Sequence, residues 1–271
     1  MASAHRDPAV ASPLPRWLWL PAMLALALLA LPLVGLVARV PWPQLPDIVT
    51  TQATRDALWL SLRTCVASTA VAVVLGLPLA LWLSRLRGRA AVLVRTVALL
   101  PMVLPPVVAG VVLLATFGRR GLIGGPLASA GIEIGFTTTA VVMAQSFVAM
   151  PFFVVAVEGA LRSLDHEAEL AAATLGAAPG VVLRRVTLPM LAPALGNGAA
   201  LAFARALGEF GATLTFAGSL QGTTRTLPLE TYLVRESSTE TALAVSLLLV
   251  TLALGVVLVA TWVGKRGGGR P

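Results

Sequence analysis

The sequence predicts an all-α polytopic membrane protein: six transmembrane helices, with a cytoplasmic helix in the loop between the fourth and fifth. Three observations carry this prediction. Hydrophobic residues make up 57% of the 271 and charged residues only 12%, with a mean hydropathy of +0.88, whereas soluble domains carry roughly 25% charged residues. Apolar runs recur at about the 20 residues that a helix needs to cross a ~30 Å hydrocarbon core. The basic residues gather in alternate loops.

In order along the chain, residues 1–16 are polar and contain proline, and read as a cytoplasmic tail. Trp17 to Val40 is an apolar run of 24 residues, longer than the roughly 7–15 of a signal-peptide core, so it is a retained first span at 17–40. The Pro-rich segment 41–56 separates it from a five-span core at 54–262. The second run is Ala57–Ser84, interrupted by Arg63 near its outer end, and the third is Leu93–Phe117 with Pro105-Pro106 inside it. The fourth is Thr137–Leu161; its Thr137–Thr139 entrance is the kind of polar run that starts a helix. The fifth is Leu191–Leu214 and the sixth Ala242–Val263, followed by a cytoplasmic tail at 263–271. No repeat of 20–50 residues is present, which excludes a solenoid.

Six spans put both termini on one side, and the charges choose the side. With the termini cytoplasmic, the inner loops hold Arg6, Arg16, Arg85, Arg87, Arg89, Arg95, Arg162, Arg184, Arg185, Lys265, Arg266 and Arg270. The outer ends hold Arg39, Arg55, Arg119, Arg120, Arg225 and Arg235. That asymmetry follows the positive-inside rule and puts both termini on the cytoplasmic side. It also explains the net charge of +8 through loops facing anionic headgroups. Nucleic acid is excluded as a partner because no basic stripe with interleaved aromatics occurs. Cys65 is the single cysteine, and His5 and His166 are the two histidines, both in polar segments. No disulfide, metal site or catalytic constellation is expected from so few groups.

The segment 165–190, DHEAELAAATLGAAPGVVLRRVTLPM, is too charged to span. Asp165 is a candidate N-cap, Glu167 and Glu169 suit the positive end of a helix, and Gly176 suits the left-handed C-terminal position. A second turn or helix precedes Leu188-Pro189. The spacing of Ala171, Ala172, Gly176, Leu188 and Pro189 resembles the cytoplasmic signature of the permease subunits of ABC importers of type I. The first position departs from it: Leu170 stands where the signature has Glu, and Glu169 lies one residue earlier. The resemblance implies a coupling helix seated in a cytoplasmic ATPase, with Glu169, Ala171, Ala172, Gly176, Leu188 and Pro189 as the ATPase-coupling set. A helix lying passively on the membrane surface is the alternative.

LPMVLPPVVAG (100–110) with FGRRG (117–121), and FARALGEFGATLTFAG (203–218) with GTTRTLPLETYL (222–233), are similar to molybdate permeases. With the loop, the resemblance covers about residues 54–262. It implies an importer of molybdate or tungstate that works as a homodimer. Its partners would be a cytoplasmic ABC ATPase dimer and an extracytoplasmic oxyanion-binding protein. The chain has no Gly-rich Lys-Ser/Thr phosphate loop, and its one lysine is Lys265. ATP and Mg are therefore expected on the partner ATPase, and this chain is expected to be no enzyme and to carry no cofactor. Sulfate or thiosulfate permeases share the frame and remain the alternative substrate class. A membrane-embedded enzyme would need clustered His, Asp or Glu, and a passive channel would need no coupling loop.

Arg205 and Glu209 are the sharpest anomaly. Spaced i, i+4, they share one helix face, and ionisable residues at membrane depth usually face a bundle interior or a water-filled path. They are candidates for the translocation path, with Pro105, Pro106, Gly208 and Gly211. The plainer readings are a local ion pair for the charges, close helix packing for the glycines and a bent scaffold for the prolines. Glu158, near the inner end of the fourth span, is expected to pair locally or reach the interface.

Overall fold

The computed structural model describes residues 15–164 and 167–267, all helix and connecting segments with no strand among them. Asp165, most of the amino-terminal tail and the last four residues lie outside the described residues. The chain resolves into two compact units, 1–40 and 41–271. The first holds α1, Trp19–Arg39, none of whose described side chains is buried. The second unit carries everything else.

It opens with α2, Leu45–Thr50, and α3, Gln52–Arg85. At 34 residues, α3 is ~51 Å long and so overshoots a ~30 Å hydrocarbon core. Thr51 caps it by accepting the Thr54 amide. Its buried stripe is built of small residues, Ala57, Ser61, Cys65, Ser68, Ala72, Gly76 and Ala80, recurring every three or four positions. In lipid, where burying apolar surface gives little, helices associate through such close van der Waals contact.

The third apolar run is two helices, α4 at Gly88–Val103 and α5 at Pro106–Phe117, bent by 115°. The third span is thus a bent pair rather than one continuous rod. Leu104 (ψ 133) and Pro105 (φ −54, ψ 135) are both extended, because a residue that precedes proline is pushed out of the α region. A short α6, Gly124–Ser129, follows, then α7, Thr138–Ser163. Thr137 starts α7 by accepting the Ala140 amide, the helix-start role expected of the threonine run.

After α7 come α8, Glu167–Thr174; α9, Pro179–Val182; a π-helical turn at Leu183–Thr187; and α10, Leu188–Leu207. The fifth run also breaks. α10 stops at Leu207, and α11 restarts at Gly211–Ala217, so Gly208 and Glu209 lie in a junction. The outer loop holds α12, Leu227–Arg235, and the chain ends in α13, Thr239–Gly267. Five helices or merged helical stretches are long and apolar enough to cross a membrane, and the bent α4–α5 pair makes six if taken as one span.

α7 is the column of the second unit. Its carboxyl-terminal half (Ala149, Phe153, Val154, Val157, Leu161) packs against α3 and α10 through Ala72, Leu83, Leu191 and Ala202. Its amino-terminal half (Ala140, Val141, Ala144, Val148) packs against α5 and α11 through Ala109, Leu113, Ala212 and Phe216. One core is built on two long helices and the other on two half-helices.

Candidate functional site

The two breaks meet. A Cβ placed on Gly211 would lie 2.7 Å from the Pro106 Cβ, and one on Gly110 would lie 2.8 Å from the Ala212 carbonyl oxygen and 2.6 Å from the Thr215 Cβ. α5 and α11 therefore run side by side in the same direction, amino terminus beside amino terminus, with no room for a side chain between them. Pro105, Pro106, Gly208 and Gly211, singled out separately in the sequence, mark one junction. Phe210, the last residue before α11, stacks obliquely on Tyr232 of α12 at 5.1 Å between ring centroids.

Glu209 holds this junction from inside. It is 1% exposed, and one carboxylate oxygen accepts the Ala212 amide at 2.9 Å. Glu209 so occupies the amino terminus of α11, where a helix favours negative charge. The other oxygen lies 2.9 Å from Arg205 Nη2, an ion pair outside hydrogen-bond geometry. Arg205, at the last turn of α10, is 27% exposed. The expected i, i+4 pair forms although the helix that was to carry it ends between its two members.

The loop set lies at the other end of α10. Gly176 has φ +83, in the left-handed region that glycine tolerates without a Cβ clash. Its amide bonds to the Ala173 carbonyl and that of Ala177 to the Ala172 carbonyl, the paired 5→2 and 6→1 bonds of a Schellman stop. Ala171 is exposed and Ala172 half-buried on α8, while Leu188 and Pro189 open α10. The Glu169 carboxylate accepts the hydroxyl of buried Thr187. Leu170 and Leu175 face outward at 64% and 88% exposure. The 20 residues of α10 form a ~30 Å rod with this loop at one end and the junction at the other.

Two features escaped sequence reasoning. Glu158, 6% exposed, pairs with Arg162 one turn on and also with Arg95 of α4. The Arg162 spacing signalled local pairing, but no pattern links it to Arg95 across 63 positions. The ring of Phe153 sits between Gly76 of α3 and Gly198 of α10, and nothing in the local sequence marks either glycine as its partner.

The profile of the binding-protein-dependent transport system inner membrane component family matches residues 72–267. The chain belongs to this family. It is accordingly a multi-pass inner-membrane transport protein. Among its relatives is the Mycobacterium tuberculosis molybdenum transport system permease protein ModB, 55% identical over 245 residues, covering 90% of this chain and 93% of that one. The Escherichia coli K12 protein of the same name is 36% identical over 217 residues, covering 78% and 95%. The permease fold matches a bacterial alginate ABC transporter chain with a TM-score of 0.72 at 16% identity, covering 92% of this chain and 94% of that one. The MetNI methionine ABC transporter matches at 0.63 and 20% identity, covering 78% and 94%. At those identities the likeness is one of fold.

Proposed function

We propose that this permease imports molybdate, with tungstate as its near equivalent, and that it does so as a homodimer driven by a separate ABC ATPase. The observation that carries the proposal is the 55% identity, across nine-tenths of the chain, to a protein named as a molybdenum transport permease. The relatives named here carry that name, which favours molybdate over the sulfate alternative. In this reading ATP and Mg sit on the ATPase, an extracytoplasmic binding protein delivers the oxyanion, and both termini face the cytoplasm.

The electrostatics of the junction suit a conduit. Arg205 is balanced by Glu209 at 2.9 Å, so the pair offers no strong trap for a dianion. A site that held the anion tightly could not release it, and capture falls to the binding protein. Entry into a negative cell opposes each charge by about 2.3 kcal/mol per 100 mV. A dianion therefore faces about 4.6 kcal/mol per 100 mV, and a passive pore would leak it outward. The coupling set Glu169, Ala171, Ala172, Gly176, Leu188 and Pro189 then receives the ATPase stroke. Pro105, Pro106, Arg205, Gly208, Glu209 and Gly211 border the path that opens.

Reconstitution with the ATPase and the binding protein tests this. Uptake of molybdate should require ATP, be competed by tungstate and be little affected by sulfate. Gly176→Glu should abolish uptake while the chain still inserts. Sulfate outcompeting molybdate would overturn the substrate, and uptake without the ATPase would overturn the mechanism.

A further inference from the structure

Side-chain hydroxyls in the helices of this chain are mostly spent on their own helix. Thr64, Thr96, Thr215 and Thr231 each donate to the carbonyl four residues back, the usual resting place of a helical threonine. Thr187 does otherwise. It is 1% exposed, and its hydroxyl reaches the Glu169 carboxylate, 18 residues away on α8. The π-helical turn at Leu183–Thr187 ends on this residue, with the Leu188 amide bonding back five residues to the Leu183 carbonyl. Such a widened turn inserts a residue into the helical ladder and is often found at functional positions. Here it immediately precedes α10 and presents Thr187 to α8.

The surroundings make this bond more than incidental. A half-open pocket of about 550 Å³ lies beside α8, lined by Arg85, Glu169, Leu170, Leu183 and Thr187 among others. α8 is therefore only partly packed against the base of α10. The covalent connection is indirect, running through the left-handed Gly176, the extended Ala178 and α9. A hydroxyl donating to a carboxylate is charge-assisted, and stronger than a neutral hydrogen bond. It joins one helix directly to the other.

We infer that Glu169 and Thr187 form a tie rod that transmits displacement of α8 to the ~30 Å rod of α10, making both positioning residues for coupling. The inference rests on the permease reading above, and it assigns Glu169 a bond within its own chain. Without the tie, α8 could move while α10 stayed still.

The test is the number of molybdate ions imported per ATP hydrolysed by the reconstituted complex, compared among wild type, Thr187→Val, Thr187→Ser and Glu169→Gln. Valine keeps the shape and removes the donor; serine restores it. The ratio should fall several-fold in Thr187→Val, fall less in Glu169→Gln and recover in Thr187→Ser. An unchanged ratio in Thr187→Val, or equal losses in the valine and serine variants, would overturn the tie. Amide exchange on the purified permease supplies a readout independent of transport. Exchange across 167–176 should rise in Thr187→Val and not in Thr187→Ser, and no rise in the valine variant would overturn the tie. If the wild type exchanges as expected yet imports no molybdate, the functional reading fails while the tie stands.

Discussion

The two cores along α7 solve the same packing problem by opposite means. Beside its carboxyl-terminal half, contact with α3 and α10 passes through a side chain, the Phe153 ring set between Gly76 and Gly198. Beside its amino-terminal half, α5 and α11 meet at Gly110 and Gly211, where backbone and proline ring leave no gap. A ring in a glycine socket can shift by tenths of an ångström and still fill its space. Two backbones in contact cannot yield without the helices separating. The first core can absorb a small displacement of the ring, and the second has no such slack. In lipid, close packing rather than apolar burial holds helices together, so the two cores should respond differently to an added methyl group.

The largest effect should therefore come from the backbone contact. Gly110→Ala would put a Cβ 2.6 Å from the Thr215 Cβ and 2.8 Å from the Ala212 carbonyl oxygen. Over-packing costs typically 1–3 kcal/mol and occasionally more. With a helix backbone as obstacle we expect about 4 kcal/mol, which the ~1 kcal/mol that alanine gains over glycine in a helix interior reduces to a net loss of about 3 kcal/mol. Denaturant titration of the purified protein should show it, accompanied by loss of uptake. A Gly110→Ala protein of wild-type stability would remove the contrast between the cores. Next comes the clamp on the same junction. Glu209→Ala removes the α11 cap and leaves Arg205 without its partner. Breaking a buried pair costs roughly 3–5 kcal/mol, but Arg205 is 27% exposed and water will screen it, so about 2 kcal/mol is expected. Glu209→Gln, which can still accept the Ala212 amide, should cost less.

How far these features were legible in the sequence divides along the same line. The apolar runs could be read because a bilayer admits only segments that satisfy their own backbone over a fixed length. The left-handed Gly176 could be read because the stop sits within one turn of the helix it ends. Pro105-Pro106 announced a bend, though not its 115°. The break in the fifth run left no such mark. Apolar residues continue past it to Phe216, and what sets α11 apart from α10 is a contact with Pro106, 105 positions earlier, together with a glutamate that caps the new helix. The Arg95–Glu158 pair and the Phe153 socket were hidden for the same reason: each joins segments that only the assembled bundle brings together.

The smaller effects sharpen the comparison from the other core. Gly76→Ala would place a Cβ 2.8 Å from Phe153 Cδ1 and 3.3 Å from a Val154 methyl, so the ring must move. Against this, alanine gains about 1 kcal/mol over glycine in a helix interior, leaving a net loss of about 1 kcal/mol. Gly198→Ala meets the opposite edge of the same ring at 3.1 Å, with Ala156 Cβ at 3.4 Å, a contact that a few tenths of an ångström relieves. Its net change should be near zero. The informative protein is the double variant. Each alanine is tolerated because Phe153 can retreat toward the other glycine, and with both sites filled it has nowhere to go. The cost of the double variant should therefore exceed the sum of the two single costs by about 1 kcal/mol, within the range for residues that share a partner. Additive costs would mean that the ring is not the element that slides, and that the two cores yield by the same means.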